Sequence, residues 1–360
     1  MNFKTSVTLF CTKMTVILVW LLLNLELCCC EWVMDPAVCS GRYNDSEFSA
    51  AYDLMRLGKR CEFNQKTRRY STAGCTTRSH ISPCTPSEFA HFKMSPVLPL
   101  RWDDLPRGGM ERYIWKVYEN LAGQRLFVCG DSMGEQIYVA LFLYLRSIGI
   151  RCMKTHYQNT TYIEFTCPND FEVVQRNCRM KKEFIYSVNE EMKVVTAATN
   201  RFYLVNNGLW YNERNINSYI IDSKEVFSLL SNVSMKSDTT KVGWWYTTHQ
   251  HFPGGQSYDE YATQLKHRHI SPTGQACAAH KAHYSTEKFE NVQSSAVELS
   301  KGKIHIISFR NFTFSRHDAH THYAMHKVAN LLDCTHYCMQ PCFFEPIIYE
   351  IAKFLESSVK

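Results

Sequence analysis

The chain has 360 residues, of which 45% are hydrophobic and 13% aromatic, and a formal net charge of +6. This length and apolar content predict a packed globular protein with one large domain plus an appendage, or two modest domains, and they exclude an intrinsically disordered chain. The basic residues form no stripe along the sequence, so nucleic acid is not an expected partner.

The first thirty residues have the pattern of a targeting segment. Lys4 and Lys13 precede the apolar run Val16–Leu23, which polar residues then interrupt. This run is shorter than a typical transmembrane helix, which favours a signal peptide, while a signal anchor over residues 1–30 stays open as the alternative. We therefore expect a protein of the secretory pathway, either secreted or anchored by its N-terminus in the Golgi membrane with its body in the lumen.

The cysteines support the same compartment. Four of the sixteen cysteines lie in residues 1–30, which leaves twelve (16 − 4), an even number suited to disulfides in an oxidising environment. Residues 31–95 hold four of these twelve among many turn residues, so we predict a loop-rich, disulfide-stapled N-terminal region before a main domain over residues 96–360. The Asn-x-Ser/Thr sequons are consistent with exposure to the lumen; they lie at Asn44, Asn159, Asn232 and Asn311.

Helical and strand-like patterns alternate through the main domain. The predicted helices are Tyr113–Leu121, Ile137–Ile148, Asn217–Leu230 and Phe343–Leu355. The predicted strands are Leu126–Cys129, Glu183–Val188, Val194–Ala198, Phe202–Val205, Val242–Tyr246 and Ile304–Phe309. Strands that alternate with helices predict an α/β fold with a parallel sheet between helices. Residues 250–298 have little periodicity and are expected to form a long loop region on the active face.

One turn in this pattern has the features of a catalytic serine site. The strand pattern ends abruptly at Gly130-Asp131-Ser132, and a helical pattern follows at once. In this context a serine hydroxyl can stand at a sheet edge beside a helix N-terminus. The simpler interpretation is an ordinary turn in which Ser132 caps the helix. The Gly-x-Ser-x-Gly spacing also fits α/β-hydrolases, but those enzymes build several strands before the nucleophile, so that fold is the second choice.

A partner for this serine occurs near the C-terminus. Asp333 precedes His336 by three residues, so the carboxylate can bind one ring nitrogen while the other faces a serine. Alone, this stretch also fits a disulfide-rich turn, because Cys334 and Cys338 flank the histidine. Together with the serine turn it supplies a base and its orienting acid, and Ser132, Asp333 and His336 are the predicted catalytic residues.

Two further groups of polar residues are candidates for the same site. Asn206, Asn207 and Gly208 follow a predicted strand, where side-chain amides and backbone N–H groups can face a developing oxyanion; an ordinary turn is the alternative, and which asparagine matters stays open. The histidines cluster without the spacing of a zinc site, so no metal is predicted. We expect His251 and His320 to line a substrate cleft instead.

Together these motifs resemble those of the PC-esterase family, which includes the plant trichome-birefringence-like polysaccharide O-acetyltransferases. The Gly130-Asp131-Ser132 turn and the Asp333-Cys334-x-His336 stretch carry the resemblance most specifically, and it spans about residues 95–355. Other segments match in order; they are Leu100-Arg101-Trp102, Thr248-His249-Gln250-His251-Phe252 and Arg316-His317-Asp318-Ala319-His320. The chain departs from the family at Tyr337, where the family has Trp, and around Glu135-Gln136, where the family has Arg.

The resemblance implies an SGNH-like three-layer α/β/α sandwich with a parallel sheet. It implies that Ser132 carries the acyl group, that His336 is the base and that Asp333 orients it. The oxyanion hole would combine the backbone N–H of Ser132 with Gly208 and an asparagine, for which Asn206 is the candidate.

The resemblance also implies the chemistry. We expect a secretory-pathway O-acetyltransferase that acts on glycan hydroxyls through an acyl-serine, with an acetyl donor as co-substrate and no bound cofactor. Asp131, His251, Arg316 and His320 are the expected substrate-binding residues. A carbohydrate O-acetyl esterase of the same fold and a non-catalytic glycan-binding extracellular protein stay open as alternatives.

Overall fold

A computed structural model describes the main domain in several stretches. The described residues are 63–64, 69–70, 109–155, 162–194, 200–211, 216–253, 302–307, 319–320, 333–337 and 341–357, with positions 261, 263, 277–278, 294, 298, 300, 309 and 313. Residues 1–30, almost all of the predicted cysteine-rich region and most of residues 250–298 lie outside this set, and the predictions for them are not addressed by the structure.

Strands and helices alternate through the described residues. The strands are β1 (Phe63–Asn64), β2 (Arg69–Tyr70), β3 (Arg125–Gly130), β4 (Met153–Thr155), β5 (Tyr162–Thr166), β6 (Glu172–Asn177), β7 (Arg201–Val205), β8 (Thr240–Trp245) and β9 (Ile304–Ile307). The helices are α1 (Gly109–Glu119), α2 (Ser132–Ser147), α3 (Lys181–Lys193), α4 (Ile216–Met235) and α5 (Pro341–Glu356).

Seven strands form one mixed sheet in the order β4-β5-β6-β3-β7-β8-β9. Five neighbouring strands, from β6 to β9, run parallel, whereas β4 and β5 form an antiparallel edge. The α/β class is therefore confirmed, but the expectation of a wholly parallel sheet is wrong at this edge. The two-residue strands β1 and β2 pair with each other in a separate antiparallel ribbon.

The strand β3 lies at the centre of the parallel part. All six of its residues are buried, as expected for an apolar run between two parallel neighbours. It pairs with β6 on one side and with β7 on the other, so the chain leaves it first towards one edge of the sheet and later crosses to the other. Such a reversal opens a crevice at the carboxyl ends of the strands, where α/β proteins bind ligands.

Helices cover both faces of the sheet. Successive side chains of β3 point to opposite faces, so Leu126 and Val128 contribute to one core and Phe127 and Cys129 to the other. Helices α1, α2 and α5 pack into the first core, and α3 and α4 pack into the second. The sheet is thus enclosed on both faces, and its carboxyl edge is left for loops.

One predicted strand is wrong. Residues 183–188 belong to helix α3, whose buried side chains recur at intervals of three or four residues: Phe184, Ser187, Val188 and Glu191. This spacing places one helical stripe against the sheet, and it outweighs the short strand-like run in the sequence. The neighbouring predicted strand, Val194–Ala198, lies outside the described residues except for its first residue.

Strands β5 and β6 were not predicted because charged residues interrupt their apolar pattern. The structure pairs these charges internally around Arg125, which is 6% exposed. Arg125 Nε lies 2.7 Å from Glu191 Oε1, and Arg125 Nη1 lies 2.6 Å from Glu172 Oε2. Glu164 on β5 lies 3.8 Å from the same guanidinium group. Buried carboxylates that share one arginine can therefore occupy a strand that the sequence presents as polar.

Three disulfides occur in the described residues, as predicted for the body cysteines. They join Cys129 to Cys178, Cys152 to Cys167 and Cys277 to Cys334. No helix in the described ranges is long and apolar enough to cross a membrane.

Candidate active site

Ser132 lies where the sequence predicts it, at the turn between the central strand and helix α2. Asp131 is the N-cap of this helix, and its Oδ1 accepts a hydrogen bond of 2.8 Å from the backbone N–H of Met133. Gly130 ends the strand against a tryptophan ring, since a Cβ atom at this position would lie 2.7 Å from the side chain of Trp245. Close packing thus requires a glycine before the Asp-Ser pair.

The structure brings Ser132, His336 and Asp333 together in one hydrogen-bonded chain. His336 Nε2 lies 2.6 Å from Ser132 Oγ, and His336 Nδ1 lies 2.8 Å from Asp333 Oδ2. A carboxylate can only accept, so Nδ1 carries the proton and Nε2 is left to accept the serine hydroxyl. The predicted proximity of these three residues is therefore observed across a separation of 204 residues; their catalytic role stays a prediction.

Electrostatics favour the charged form of both residues in the acid–base pair. Burial opposes the charge of Asp333, but the attraction of His336 and the hydrogen bonds to its carboxylate hold its pKa well below the usual range. Burial also opposes protonation of His336, and the Asp333 carboxylate, with smaller contributions from Asp131 and Glu135, raises its pKa above the ordinary value. Negative charge around the ring thus stabilises the imidazolium that forms when it takes a proton.

Backbone N–H groups of the same turn hold the Asp333 carboxylate in position. Asp333 Oδ1 accepts hydrogen bonds of 3.1 Å from the backbone N–H groups of Thr335 and His336. These two bonds close a turn over the Asp-x-x-His stretch and leave Oδ2 for the imidazole. The spacing of three residues thus supplies the acid, its orientation and the base in one loop.

Asp131 is enclosed by protein and does not face the crevice. Its residue is 1% exposed, and burial raises the pKa of its carboxyl to about 6, although amides of Met133, Leu209 and Gly134 and the charge of His336 oppose the shift. The prediction that Asp131 contacts substrate stays a prediction, since its carboxyl group is buried in this structure. Its observed role is to cap helix α2 and to place a second carboxyl group near the candidate base.

A buried glutamine, which the sequence did not single out for this role, joins the serine helix to the histidine loop. Gln136 Nε2 donates to the backbone oxygen of Tyr337 at 2.6 Å, and Gln136 Oε1 accepts from the Tyr337 N–H at 3.2 Å. This paired contact fixes the residue after His336 one helical turn from Ser132. Its only signal in the sequence is an uncharged polar residue at the start of the apolar part of the helix.

The two histidines predicted to line a cleft pair with each other behind the loop of Asp333 and His336. His251 and His320 are 1% and 0% exposed, and His251 Nδ1 lies 2.6 Å from His320 Nε2. His320 Nδ1 lies 3.0 Å from the backbone oxygen of His336, and the His320 ring stacks on Tyr337 at 4.3 Å. Because the carbonyl oxygen only accepts, His320 Nδ1 is the donor, and the pair positions His336 from behind. Their contact with substrate stays a prediction.

The loop after β7 lies next to the serine turn, as the oxyanion prediction requires. The backbone N–H of Asn206 donates to the Cys129 oxygen at 2.9 Å. Asn206 Nδ2 donates to the Trp245 oxygen at 2.7 Å, and its Oδ1 accepts from the Gly208 N–H at 3.0 Å. The side chain of Asn206 therefore stabilises the loop in this structure.

Asn207 differs from its neighbour. It is 0% exposed, and neither atom of its side-chain amide has a hydrogen-bond partner among the described residues. A buried amide without a partner is costly, so it requires a reason. Asn207 is therefore the asparagine of this loop whose donor stays available in the described structure, and the oxyanion roles of Asn206 and Gly208 stay predictions.

Arg316 lies outside the described residues. Within the ranges that the structure describes, no three His, Cys, Asp or Glu side chains converge in a way that could hold a metal ion. The side chains of His336 and Asp333 keep 18% and 10% of their surface exposed. Both side chains therefore keep part of their surface in contact with solvent.

Neither a comparison with protein-family models nor one with curated proteins gives a match for this chain. No protein-family model matches it. No curated protein matches it at a significant level. The interpretation of the site therefore depends on its own residues and geometry.

Proposed function

We propose that this protein is a serine-dependent O-acetyltransferase of the secretory pathway, which transfers an acetyl group from a donor to a glycan hydroxyl through an acyl-Ser132 intermediate. The observation that supports it most directly is the hydrogen-bonded chain from Ser132 through His336 to Asp333. Serine is a weak nucleophile on its own, and an adjacent base held by an acid is the usual way to activate it.

In the first step, the Ser132 hydroxyl attacks the carbonyl carbon of the donor while His336 Nε2 takes the hydroxyl proton. The tetrahedral intermediate collapses when the donor's leaving group accepts that proton from His336. The acetyl group is now bonded to Ser132 Oγ, and the imidazole is neutral again. Asp333 holds Nδ1–H throughout, so Nε2 stays directed at the serine.

In the second step, a sugar hydroxyl takes the place of the leaving group. His336 removes its proton, the sugar oxygen attacks the acyl carbon, and Ser132 Oγ leaves with the proton returned by His336. The same atoms thus act in reverse order, which is why one triad serves both halves of the transfer.

Stabilisation of the oxyanion is expected from backbone and side-chain donors near the turn. Ser132 is the first residue of α2, and the N–H groups of a first helical turn have no acceptor within the helix. In the adjoining loop, the absence of a partner for Asn207 in the described structure makes its amide the stronger candidate beside Asn206. The Gly208 N–H donates to Asn206 Oδ1 in this structure and would have to exchange that acceptor for the oxyanion. Removal of one such donor typically costs about 10²–10³ in rate.

The same features support the resemblance to the PC-esterase family and an SGNH-like fold. A serine after a central parallel strand, helices on both faces and an Asp-x-x-His loop near the C-terminus agree with it. The three disulfides support folding in an oxidising compartment. We therefore propose a secreted or Golgi-lumenal enzyme with a glycan acceptor and an acetyl donor as partners.

The test is intact-protein mass spectrometry of the deglycosylated protein after incubation with 4-nitrophenyl acetate. We expect the mass of one acetyl group on the wild type and none on Ser132→Ala, with the adduct discharged by an oligosaccharide that becomes acetylated. His336→Ala should also lose the adduct while it keeps the folded-state melting temperature.

Each other outcome has a definite meaning. Discharge by water at the same rate with and without oligosaccharide would identify an O-acetyl esterase. A folded wild type with no adduct and no ester turnover would contradict the catalytic proposal and favour a glycan-binding protein.

A further inference from the structure

We infer that Trp210 and Arg179 form an exposed platform at the rim of the candidate active site, on which a pyranose ring of the acceptor glycan stacks. Trp210 is 47% exposed, and the guanidinium carbon of Arg179 lies over its indole ring at 5.1 Å. The inference deepens the proposed function, because it rests on a glycan acceptor and names how the protein holds it.

Trp210 comes to this rim through the loop after β7. Its preceding residue, Leu209, has its backbone amide beside the carboxyl group of Asp131, and Asp131 precedes the candidate nucleophile. Its following residue, Tyr211, is buried, and its hydroxyl donates to Asp222 at 2.9 Å. The exposed indole therefore extends from a loop fixed on both sides.

Arg179 comes to the same rim from the loop after β6. The N–H of the preceding residue, Cys178, donates to the Gly130 oxygen at 2.6 Å, and Cys178 is joined by a disulfide to Cys129. Arg179 and Trp210 thus lie on two adjacent loops. In each loop, the residue just before the exposed one contacts the segment 129–131. Their meeting beside the serine turn follows from the order of the parallel strands.

The chemistry of the pair suits a sugar. A pyranose has C–H groups on its ring faces and hydroxyl groups around its edge. The negative face of an indole attracts positively polarised C–H groups, and the guanidinium group offers several N–H donors to oxygen atoms near the ring. An exposed apolar side chain beside a fixed donor is the combination that such a ring requires.

A second exposed tryptophan, Trp115, has a structural role and serves for comparison. Trp115 is 37% exposed, but its indole N–H donates to the Ile148 oxygen at 3.0 Å and its ring meets Tyr118 edge-on. In the described part of the chain, Trp210 instead makes a cation–π contact with Arg179. Trp115 also lies at the far end of α2, about 24 Å of helix from Ser132, so it is a matched control.

The kinetic test compares acceptors that differ in the ring. The acyl-enzyme made with 4-nitrophenyl acetate is mixed with glycerol or with the methyl β-pyranosides of glucose, galactose, xylose and N-acetylglucosamine, at equal hydroxyl concentration. We expect at least one pyranoside to discharge the enzyme about tenfold faster than glycerol, in line with the strength of stacking on an indole. Trp210→Ala should remove this preference, and discharge by glycerol and acylation by the ester should stay unchanged.

The binding test does not depend on acylation. Ser132→Ala labelled with 5-fluorotryptophan is titrated with the same pyranosides and with glycerol, and the ¹⁹F resonance of Trp210 is assigned by its loss in Trp210→Phe. We expect this resonance to shift with a pyranoside and not with glycerol, while the Trp115 resonance stays fixed. Arg179→Ala should weaken the shift, and Trp115→Ala should leave it intact.

The outcomes separate the platform from the enzyme. A pyranoside preference that survives Trp210→Ala, or a Trp210 resonance that no pyranoside moves, would overturn the platform even if the acyl-enzyme forms. Failure to form the acyl-enzyme together with a shifted Trp210 resonance would overturn the transferase and leave the platform as a glycan-binding site.

Discussion

His336 lies between two carboxyl groups, and they act on it differently. Asp333 binds Nδ1 directly at 2.8 Å, so it sets both the tautomer and the charge of the ring. Asp131 makes no hydrogen bond to the ring in the structure, yet its negative charge raises the pKa of His336. A base must be neutral to take the serine proton, so this extra charge moves the active pH range upwards.

Asp131→Asn is therefore expected to shift the acid limb of activity. Asparagine keeps the cap of helix α2 but carries no charge, so the pKa of His336 falls and the neutral base persists to lower pH. We expect the lower midpoint of kcat/KM for ester turnover to move to lower pH. The measurement is a pH profile of 4-nitrophenyl acetate hydrolysis or acylation from pH 4.5 to 9.

Asp238→Asn is the matched control, since Asp238 is an exposed residue in the turn before β8, at the opposite end of the sheet from Ser132. Its profile should superimpose on that of the wild type. An unchanged acid limb in Asp131→Asn would remove Asp131 from the electrostatics of the base.

At the scale of elements, the turn from β3 to α2 depends on two glycines with different surroundings. A Cβ atom on Gly130 would lie 2.7 and 2.8 Å from ring carbons of Trp245, which is 1% exposed and cannot move aside. A Cβ atom on Gly134 would lie 3.5 Å from the same ring, an ordinary contact. The strand end is thus tightly packed, whereas the first turn of the helix tolerates a methyl group.

Gly130→Ala should destabilise the protein by about 1–3 kcal/mol, because the added methyl group must displace a buried ring. Gly134→Ala should be neutral or stabilising by up to about 1 kcal/mol, because alanine is the better helix former. Urea denaturation of both variants measures the difference. Equal stabilities would show that Trp245 does not pack against the turn as described.

The same two elements show what the sequence could predict. The strand before Ser132 and the helix after it were predictable, because the apolar strand pattern ends at a turn and a helical pattern follows. Strands β5 and β6 were not, because their charges are paired by Arg125 from another strand. The run Glu183–Val188 was assigned to a strand because short apolar runs are ambiguous until their partners are known.

The candidate site likewise has parts that were predictable from the sequence and parts that were not. Asp333 and His336 were predictable because their chemistry is encoded in a local spacing of three residues. The hydrogen bonds between Gln136 and Tyr337 join residues 201 positions apart in the sequence, so no local pattern predicts them. The burial of His251 and His320 was missed because a histidine in a cleft and a histidine in a core have the same local sequence.

At the scale of the whole molecule, two disulfides lie near opposite ends of the sheet. Cys277–Cys334 holds the residue next to Asp333, and the Cys334 oxygen also accepts from the His251 N–H at 2.9 Å. Cys152–Cys167 joins the segment after α2 to the end of β5, at the edge away from Ser132. The first disulfide stabilises the catalytic loop, and the second stabilises only the scaffold.

We expect the double variants to separate these roles. Removing Cys277–Cys334 by two alanines should lower the acylation rate of the folded protein about tenfold or more, because a displaced Asp-x-x-His loop misplaces the base. Removing Cys152–Cys167 in the same way should cost up to about 3 kcal/mol of stability for its loop of 15 residues, with the acylation rate unchanged. Single-turnover acylation and urea denaturation distinguish them; equal losses of rate would contradict a local role for the first disulfide.

The sequence separation of 204 residues between Ser132 and His336 also determines when their contact can form. At a synthesis rate of about 5–20 residues per second, the serine emerges some 10–40 s before its base. Contacts so far apart in sequence form late, after local helices and the central strands. In the proposed enzyme, a nascent chain would therefore carry an unactivated Ser132 until the C-terminal loop docks against the serine turn.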